Sequence, residues 1–284
     1  MRFTVIGAAN VDIMSKSAVK IIHGDSNPAE VSLGAGGVAL NIAVNLSRLG
    51  AKVDFITAVG ADPLGDYLQK VCVSRGINVQ QWIVRENVST GVYSAALDID
   101  GELYAAFNAM AVVESINAGD LYKLEETILA ADLLVADTNL TDDALSAIFE
   151  LRGGNPIMVD AVSVAKAPRI SGLLSKISIL KLNRAEAQEL TDITLDSGEK
   201  VRLACAGLVS RGVKRVFITL GPDGACAADA NGAEFIDAEP VAVQNVTGAG
   251  DAFATGVALR FRETLISQAQ YGAQLAALHL RSNK

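Results

Sequence analysis

In the segment QNVTGAGDAFATG an acid, Asp251, follows Thr247, Gly248, Ala249 and Gly250 and leads the apolar run AFATGVALRF. The run reads as an interior helix entered from a glycine turn. A helix that begins there aims unpaired backbone N–H groups and the positive end of its dipole at the turn, which suits an anion. Asp251 is then either a group stationed beside that anion or a helix-start charge that only stabilises. A second glycine segment, GAGG at Gly34 to Gly37, leads the helical pattern VALNIAVNL with Asn41 in its first turns. Close approach of a ligand to that backbone and a tight strand-to-helix connection explain it equally well. Asn10 and Asp12 follow the opening run FTVIGAA. Such a pair binds hydroxyls, the acid accepting and the amide doing both, although an Asx turn uses the same residues.

In LKLNRAEAQEL, Asn183 and Glu186 stand in the relation of a capping box. Their oxygens also suit a hydrated magnesium ion beside phosphates. TLGPDG, with Thr219, Gly221 and Gly224, ends an apolar run and is either a plain turn or a seat for a nucleotide's ribose and phosphate. Other chemistries lose ground. Neither GAGG nor VIGAAN has the dinucleotide-binding spacing, and the Walker A pattern and the G-x-S-x-G elbow are absent. His23 and His279, the only histidines, have no partner at metal-ligand spacing, which argues against zinc. Cys72, Cys205 and Cys226 are odd in number and far apart, as expected of reduced thiols in a cytoplasmic protein.

These residues need a scaffold, and the chain supplies an alternating one. FTVIGAAN, VDFITAVG, DLLVAD, PIMVD, ISILK and KRVFITLG read as buried parallel strands, with helical patterns between them. The fold class expected is α/β, a doubly wound, mostly parallel sheet flanked by helices. Two regions break the alternation. Residues 13–33 are mixed in character, and residues 90–108 alternate on both sides of Asp100-Gly101, a hairpin signal. Together they predict a small antiparallel β lid on one domain spanning residues 1–284. With 284 residues, 50% hydrophobic and 20% charged, the chain can bury a large core. A net charge of −8 without a dense basic patch argues against a nucleic-acid polymer as partner. No apolar run has transmembrane length, and the opening MRFTVIGAAN reads as a strand rather than a secretion signal.

Taken in order, Asn10 and Asp12, the glycine segment with Asn41, NRAE, TLGPDG and VTGAGDAF resemble the PfkB, or ribokinase-like, family of carbohydrate and nucleoside kinases, over nearly the whole chain. DSNPAEV, ADTNL and VDAVSVAK resemble the subgroup that acts on pseudouridine. The resemblance implies a βαβ core under a β lid and ATP-dependent transfer of phosphate to an alcohol, the 5′-hydroxyl of the nucleoside. Asp251 is implied as catalytic base, with Gly248, Ala249 and Gly250 as the anion hole. Substrate contacts are implied at Asn10, Asp12, Ser26, Gly37, Asn41, Asn108, Asn139 and Lys166. The nucleotide falls to Asn183, Thr219, Gly221, Gly224, Thr247, Gly248 and Gly250, and magnesium to Asn183 and Glu186 through water. Potassium is implied near Asn245 and Thr247, and a homodimer through the lid. Three departures stand out. Leu40 occupies the place where the subgroup commonly has Arg, and Asn245 replaces an acid associated with the monovalent cation. The ending LHLRSNK is shorter than the family segment that helps close the adenine and cation sites. Another nucleoside or sugar kinase, inosine-guanosine or ribokinase-like, and a nucleoside-binding protein with little phosphotransfer are the competing expectations.

Overall fold

The computed structural model describes residues 1–241 and 247–282, so Asn245 lies outside the described residues. The six apolar runs form six neighbouring parallel strands. Across the sheet they run Lys52–Ile56, Arg2–Ile6, Leu133–Asp137, Ile157–Asp160, Ile179–Asn183 and Arg215–Thr219. Their near-continuous apolar character follows from burial on both faces. An antiparallel hairpin, Ala225–Asp229 and Gly232–Ile236, extends the sheet beyond Arg215–Thr219. Its first strand is ACAAD, poor in strand-forming residues, and pairing with a neighbour overrides that weak propensity.

Phe3, Val5, Phe55 and Phe217 build the core on one face, while Ile6, Ile56, Leu134, Leu180 and Val216 build it on the other. The chain passes from Arg2–Ile6 to Lys52–Ile56 on one side and later returns on the other side at Leu133–Asp137. Strand order therefore reverses between Arg2–Ile6 and Leu133–Asp137. Crevices at the carboxyl ends of such a reversal are where open α/β sheets hold ligands.

The two exceptional regions form a separate four-stranded sheet, called the lid below, with limits that differ from 13–33 and 90–108. Asn10–Ser17 pairs antiparallel with Ala29–Gly36, and Val92–Leu97 pairs antiparallel with Leu103–Ala109. Gly101 turns the second hairpin at φ +83°, its N–H donating to the Asp98 carbonyl at 2.8 Å. The two hairpins join through a parallel pairing, Val11–Lys16 beside Val92–Leu97, so the sheet is mixed rather than wholly antiparallel. The long excursion through the core between these strands supplies the crossover that a parallel pair requires. Asn10, Asp12, Gly34 and Gly36 thus belong to the lid itself.

Two helices bear on the site, Val38–Arg48 and Ala249–Leu259. A third, Leu265–Ser282, was not expected from the sequence and packs along Ala249–Leu259. At one point glycine meets glycine: a Cβ on Gly256 would lie 2.6 Å from Gly272 Cα. Among the described residues no helix is long and apolar enough to cross a membrane.

Candidate active site

Asp137, Asp160 and Lys181 are direct ladder partners on three adjacent parallel strands. Their side chains therefore leave the same face of the sheet, in one row near the strand ends. Both site helices begin against this row. Asp137, 1% exposed, accepts the N–H groups of Ala8 and Ala39 on Oδ2, each at 3.1 Å, and that of Asn139 on Oδ1 at 3.0 Å. One carboxylate so fixes the end of the first strand, the start of helix Val38–Arg48 and the loop carrying Asn139. Burial raises its pKa against the pull of those hydrogen bonds.

The other helix stands on Lys181. A Cβ on Gly250 would lie 3.1 Å from Lys181 Nζ, so glycine lets the turn settle onto the ammonium. Lys181 Nζ is 3.0 Å from Asp160 Oδ2, and both side chains are buried. Burial opposes the lysine's charge, but Asp160, Glu186 and Asp251 outweigh it and hold the ammonium above its ordinary pKa. The other oxygen of Asp160 accepts the Val162 N–H at 2.9 Å. That bond helps secure Val162 at φ +60°, a left-handed conformation costly for a β-branched residue.

Asp251 lies in the first turn of Ala249–Leu259, entered through Gly248 at φ +84°. Its Oδ2 accepts from Asn41 Nδ2 at 2.7 Å, which ties the two helix starts together. The carboxyl is 9% exposed, and its pKa is pushed up to about 7, first by burial and then by Asp160, with Lys181 and Asn41 acting in the opposite direction. A group of that pKa at a helix N-terminus is poised to exchange a proton near neutrality.

Around this centre the structure gathers most of the expected residues. Asn10 Nδ2 donates to Asp12 Oδ1 at 2.5 Å, and burial raises the Asp12 pKa while that bond lowers it. The three glycines of GAGG differ in need. A Cβ at Gly34 meets only Asp12 Cβ at 3.9 Å, at Gly36 it would overlap the Asp12 carboxylate, and at Gly37 (φ +110°) the Ala8 carbonyl. Lys166 Nζ donates to Asn139 Oδ1 at 2.5 Å, next to Asp137. Asn108 lies on the lid in a cross-strand row, Gly34–Asp12–Tyr93–Asn108, whose side chains share a face. Ser26 is not brought to the centre. It is exposed in the loop at the far end of the hairpin, beyond the Ser17–Ala29 pair, with its N–H on the Asp25 carboxylate.

Of the residues expected at the nucleotide, Asn183 completes its capping box in full. Glu186 Oε2 accepts the Asn183 N–H at 2.8 Å, Asn183 Oδ1 accepts the Glu186 N–H at 2.9 Å, and Asn183 Nδ2 donates to Glu186 Oε1 at 2.6 Å. Thr219, whose hydroxyl reaches the Leu182 carbonyl at 3.3 Å, ends the neighbouring strand. Gly221 (φ +67°) opens onto free space, whereas a Cβ on Gly224 would overlap the Ile236 carbonyl, a packing reason for that glycine. The Thr247 carbonyl lies 2.9 Å from His279 Nε2, on the helix not anticipated from the sequence.

Sequence reasoning passed over Asp137, Asp160, Lys181 and Tyr93. For the row, a signal was available: LLVAD, PIMVD and ILKL each set a charge into a run otherwise fully apolar. Charges are rarely buried in that way unless paired or functional.

Comparison with known proteins bears on this geometry. The chain is 36% identical over 256 residues to the pseudouridine kinase of Escherichia coli (strain K12), covering 89% of this chain and 82% of that protein. It is 26% identical over 264 residues to the guanosine-inosine kinase of Exiguobacterium acetylicum, covering 90% and 86%. The fold matches that of Arabidopsis thaliana ribokinase, solved in complex with ribose and ATP, with a TM-score of 0.85 at 22% identity over 98% of this chain and 92% of that one. Residues 2–283 match the pfkB family of carbohydrate kinases, and the chain belongs to that family.

Proposed function

We propose that this protein transfers the γ-phosphoryl group of ATP to the 5′-hydroxyl of pseudouridine. The observation that carries the reading is the Asp251 carboxyl, buried at a glycine-entered helix start, hydrogen-bonded to Asn41 and tuned to about 7. In this role Asp251 accepts the hydroxyl proton as the oxygen attacks. The N–H groups of the Gly248–Gly250 turn receive charge developing on the transferred group, helped by the helix dipole. Asn10 and Asp12 hold ribose hydroxyls, and the lid excludes water that would otherwise accept the phosphate.

The base is assigned to Asn139 and Lys166, with Asn108 and Tyr93 on the lid face. The whole chain acts as one domain with its lid. Thr219, Gly221 and Thr247 fall to the nucleotide. Asn183 and Glu186 offer hard oxygen donors, and since Glu186 is 1% exposed and already hydrogen-bonded through both oxygens, they suit magnesium reached through water rather than directly. When bound, magnesium offsets phosphate charge during transfer.

A second copy of the chain covers the other face of the lid in this reading. Leu33, Ile13, Ser94 and Phe107 form a row on the face opposite Asp12, and Leu33, Phe107 and nearby Val31 are exposed. Such a strand-rich apolar face is one that association protects. Light scattering at micromolar concentration is expected to give a dimer, and Phe107→Glu a monomer. A monomeric wild type would remove this part of the reading.

Substrate choice is tested by kcat/KM in an ATP-coupled panel of pseudouridine, uridine, inosine, adenosine, ribose and fructose. A carbon-linked uracil keeps a ring N–H that uridine lacks. One hydrogen bond left unmade in a closed cleft costs ~1–3 kcal/mol, so pseudouridine is expected to exceed uridine by roughly 5–150-fold. A higher value for any other compound overturns the choice of substrate. Failure of all six would favour a binding protein.

A further inference from the structure

The row of charged residues beneath the two helices contains more than a scaffold needs. Asp137 has an evident structural task, since it satisfies three backbone N–H groups. Lys181 satisfies none, and Asp160 only that of Val162. Their pairing buries two charges in the sheet, and such a pair is often no more stabilising than apolar residues of the same volume. Its position is informative instead. Lys181 Nζ sits against Gly250, the residue before Asp251, and Asp160 is the next member of the row toward Asp137.

We propose that the Lys181–Asp160 pair is a positioning device that sets how readily Asp251, at the start of its helix, takes and gives up a proton. The idea rests on the reading of Asp251 as the base, but the charge on Asp251 can be followed without any turnover. Lys181 brings an ammonium to the underside of the turn and favours the ionised carboxyl. Asp160 both orients that ammonium and limits its pull, so the carboxylate is not stabilised so far that it loses its basicity. The charged groups that face this part of the site are Asp137, Asp160 and Lys181 from the sheet and Glu186 from the helix Arg184–Thr191. His279 stands at the Gly248 side of the turn, and Asn41 is the neutral partner.

The two members of the pair push Asp251 in opposite directions, which a merely structural role would not do. The test is a carboxyl ¹³C NMR titration of the full-length protein, with the Asp251 resonance identified by its loss in Asp251→Asn. In Lys181→Met the midpoint is expected to move to higher pH by on the order of one unit, roughly tenfold in the proton-binding constant. In Asp160→Asn, which retains an Oδ1 for the Val162 N–H, it is expected to move lower. The acid limb of kcat/KM should shift with each. Should Lys181→Met not fold, Lys181→Met/Asp160→Asn leaves no unpaired buried charge from the pair, and its midpoint must lie above that of Asp160→Asn. Midpoints that do not move, or that move in the same direction in the two single variants, overturn the proposal. Absence of ATP-dependent turnover in the wild type would remove the proposed function, while the titration still decides the role of the pair.

Discussion

Asp251→Asn is expected to lower kcat at least ~100-fold while leaving the protein folded, because removing a general base commonly costs that much. The amide fits the same space and keeps an oxygen for Asn41 Nδ2, so the helix contact survives. In the wild type kcat/KM should rise about tenfold per pH unit toward a midpoint near 7, the value of Asp251 in the folded enzyme without substrate, and level off above it. In the variant this rise should vanish. Stability has the opposite dependence. The folded protein keeps a proton on Asp251 up to about 7, whereas the unfolded chain releases it near 3.8, so over that interval the native state binds more protons. The contribution of this group is therefore fully present below 3.8 and is lost as pH rises through about 7. Turnover in the variant within tenfold of wild type, or an unchanged pH profile, would reject Asp251 as the base.

Gly37→Ala is expected to destabilise the protein by at least about 2 kcal/mol, measured as a lower urea midpoint at unchanged slope. Residue 37 sits at φ +110°, and a Cβ there would overlap the Ala8 carbonyl that accepts the Leu40 N–H at 3.2 Å. Neither backbone segment can yield, since Asp137 holds both Ala8 and Ala39. Gly34→Ala, three residues earlier in the same motif, meets only a distant Cβ and should change stability by less than about 0.5 kcal/mol. Equal losses for the two substitutions would contradict this account of the glycine segment.

What could be read in advance followed from local signals. The six strands announced themselves because burial on both faces demands apolar runs, and the lid hairpin because Asp100-Gly101 has few uses other than a turn. Asn41, Asn183 and Asp251 were legible because each sits at the start of a helix, where residue type and glycine spacing carry meaning. The antiparallel edge hairpin was missed because ACAAD acquires its strand character from its neighbour. The helix Leu265–Ser282 went unread although its small residues, Gly272 among them, are those that let two helices approach closely. The charged row could not be found by spacing at all. Asp137, Asp160 and Lys181 become neighbours only through the register of strands brought together across the sheet. Ser26 marks the converse limit, since its place in a sequence motif did not show that the hairpin would carry it away from the crevice.

The three hydrogen bonds to Asp137 also bear on the order of events in folding. Two of them join residues 129 and 98 positions apart in the chain, and the Asn41–Asp251 bond spans 210. Contacts this remote form only after large loops have closed, and folds rich in them assemble slowly. A chain emerging from the ribosome carries its first glycine segment long before Asp137 exists to anchor it, and completes the Asn41 contact only after a further 114 residues have followed Asp137, at Asp251. Until Asp137 is made the start of helix Val38–Arg48 lacks its acceptor, and until Asp251 is made the two helix starts cannot be tied together.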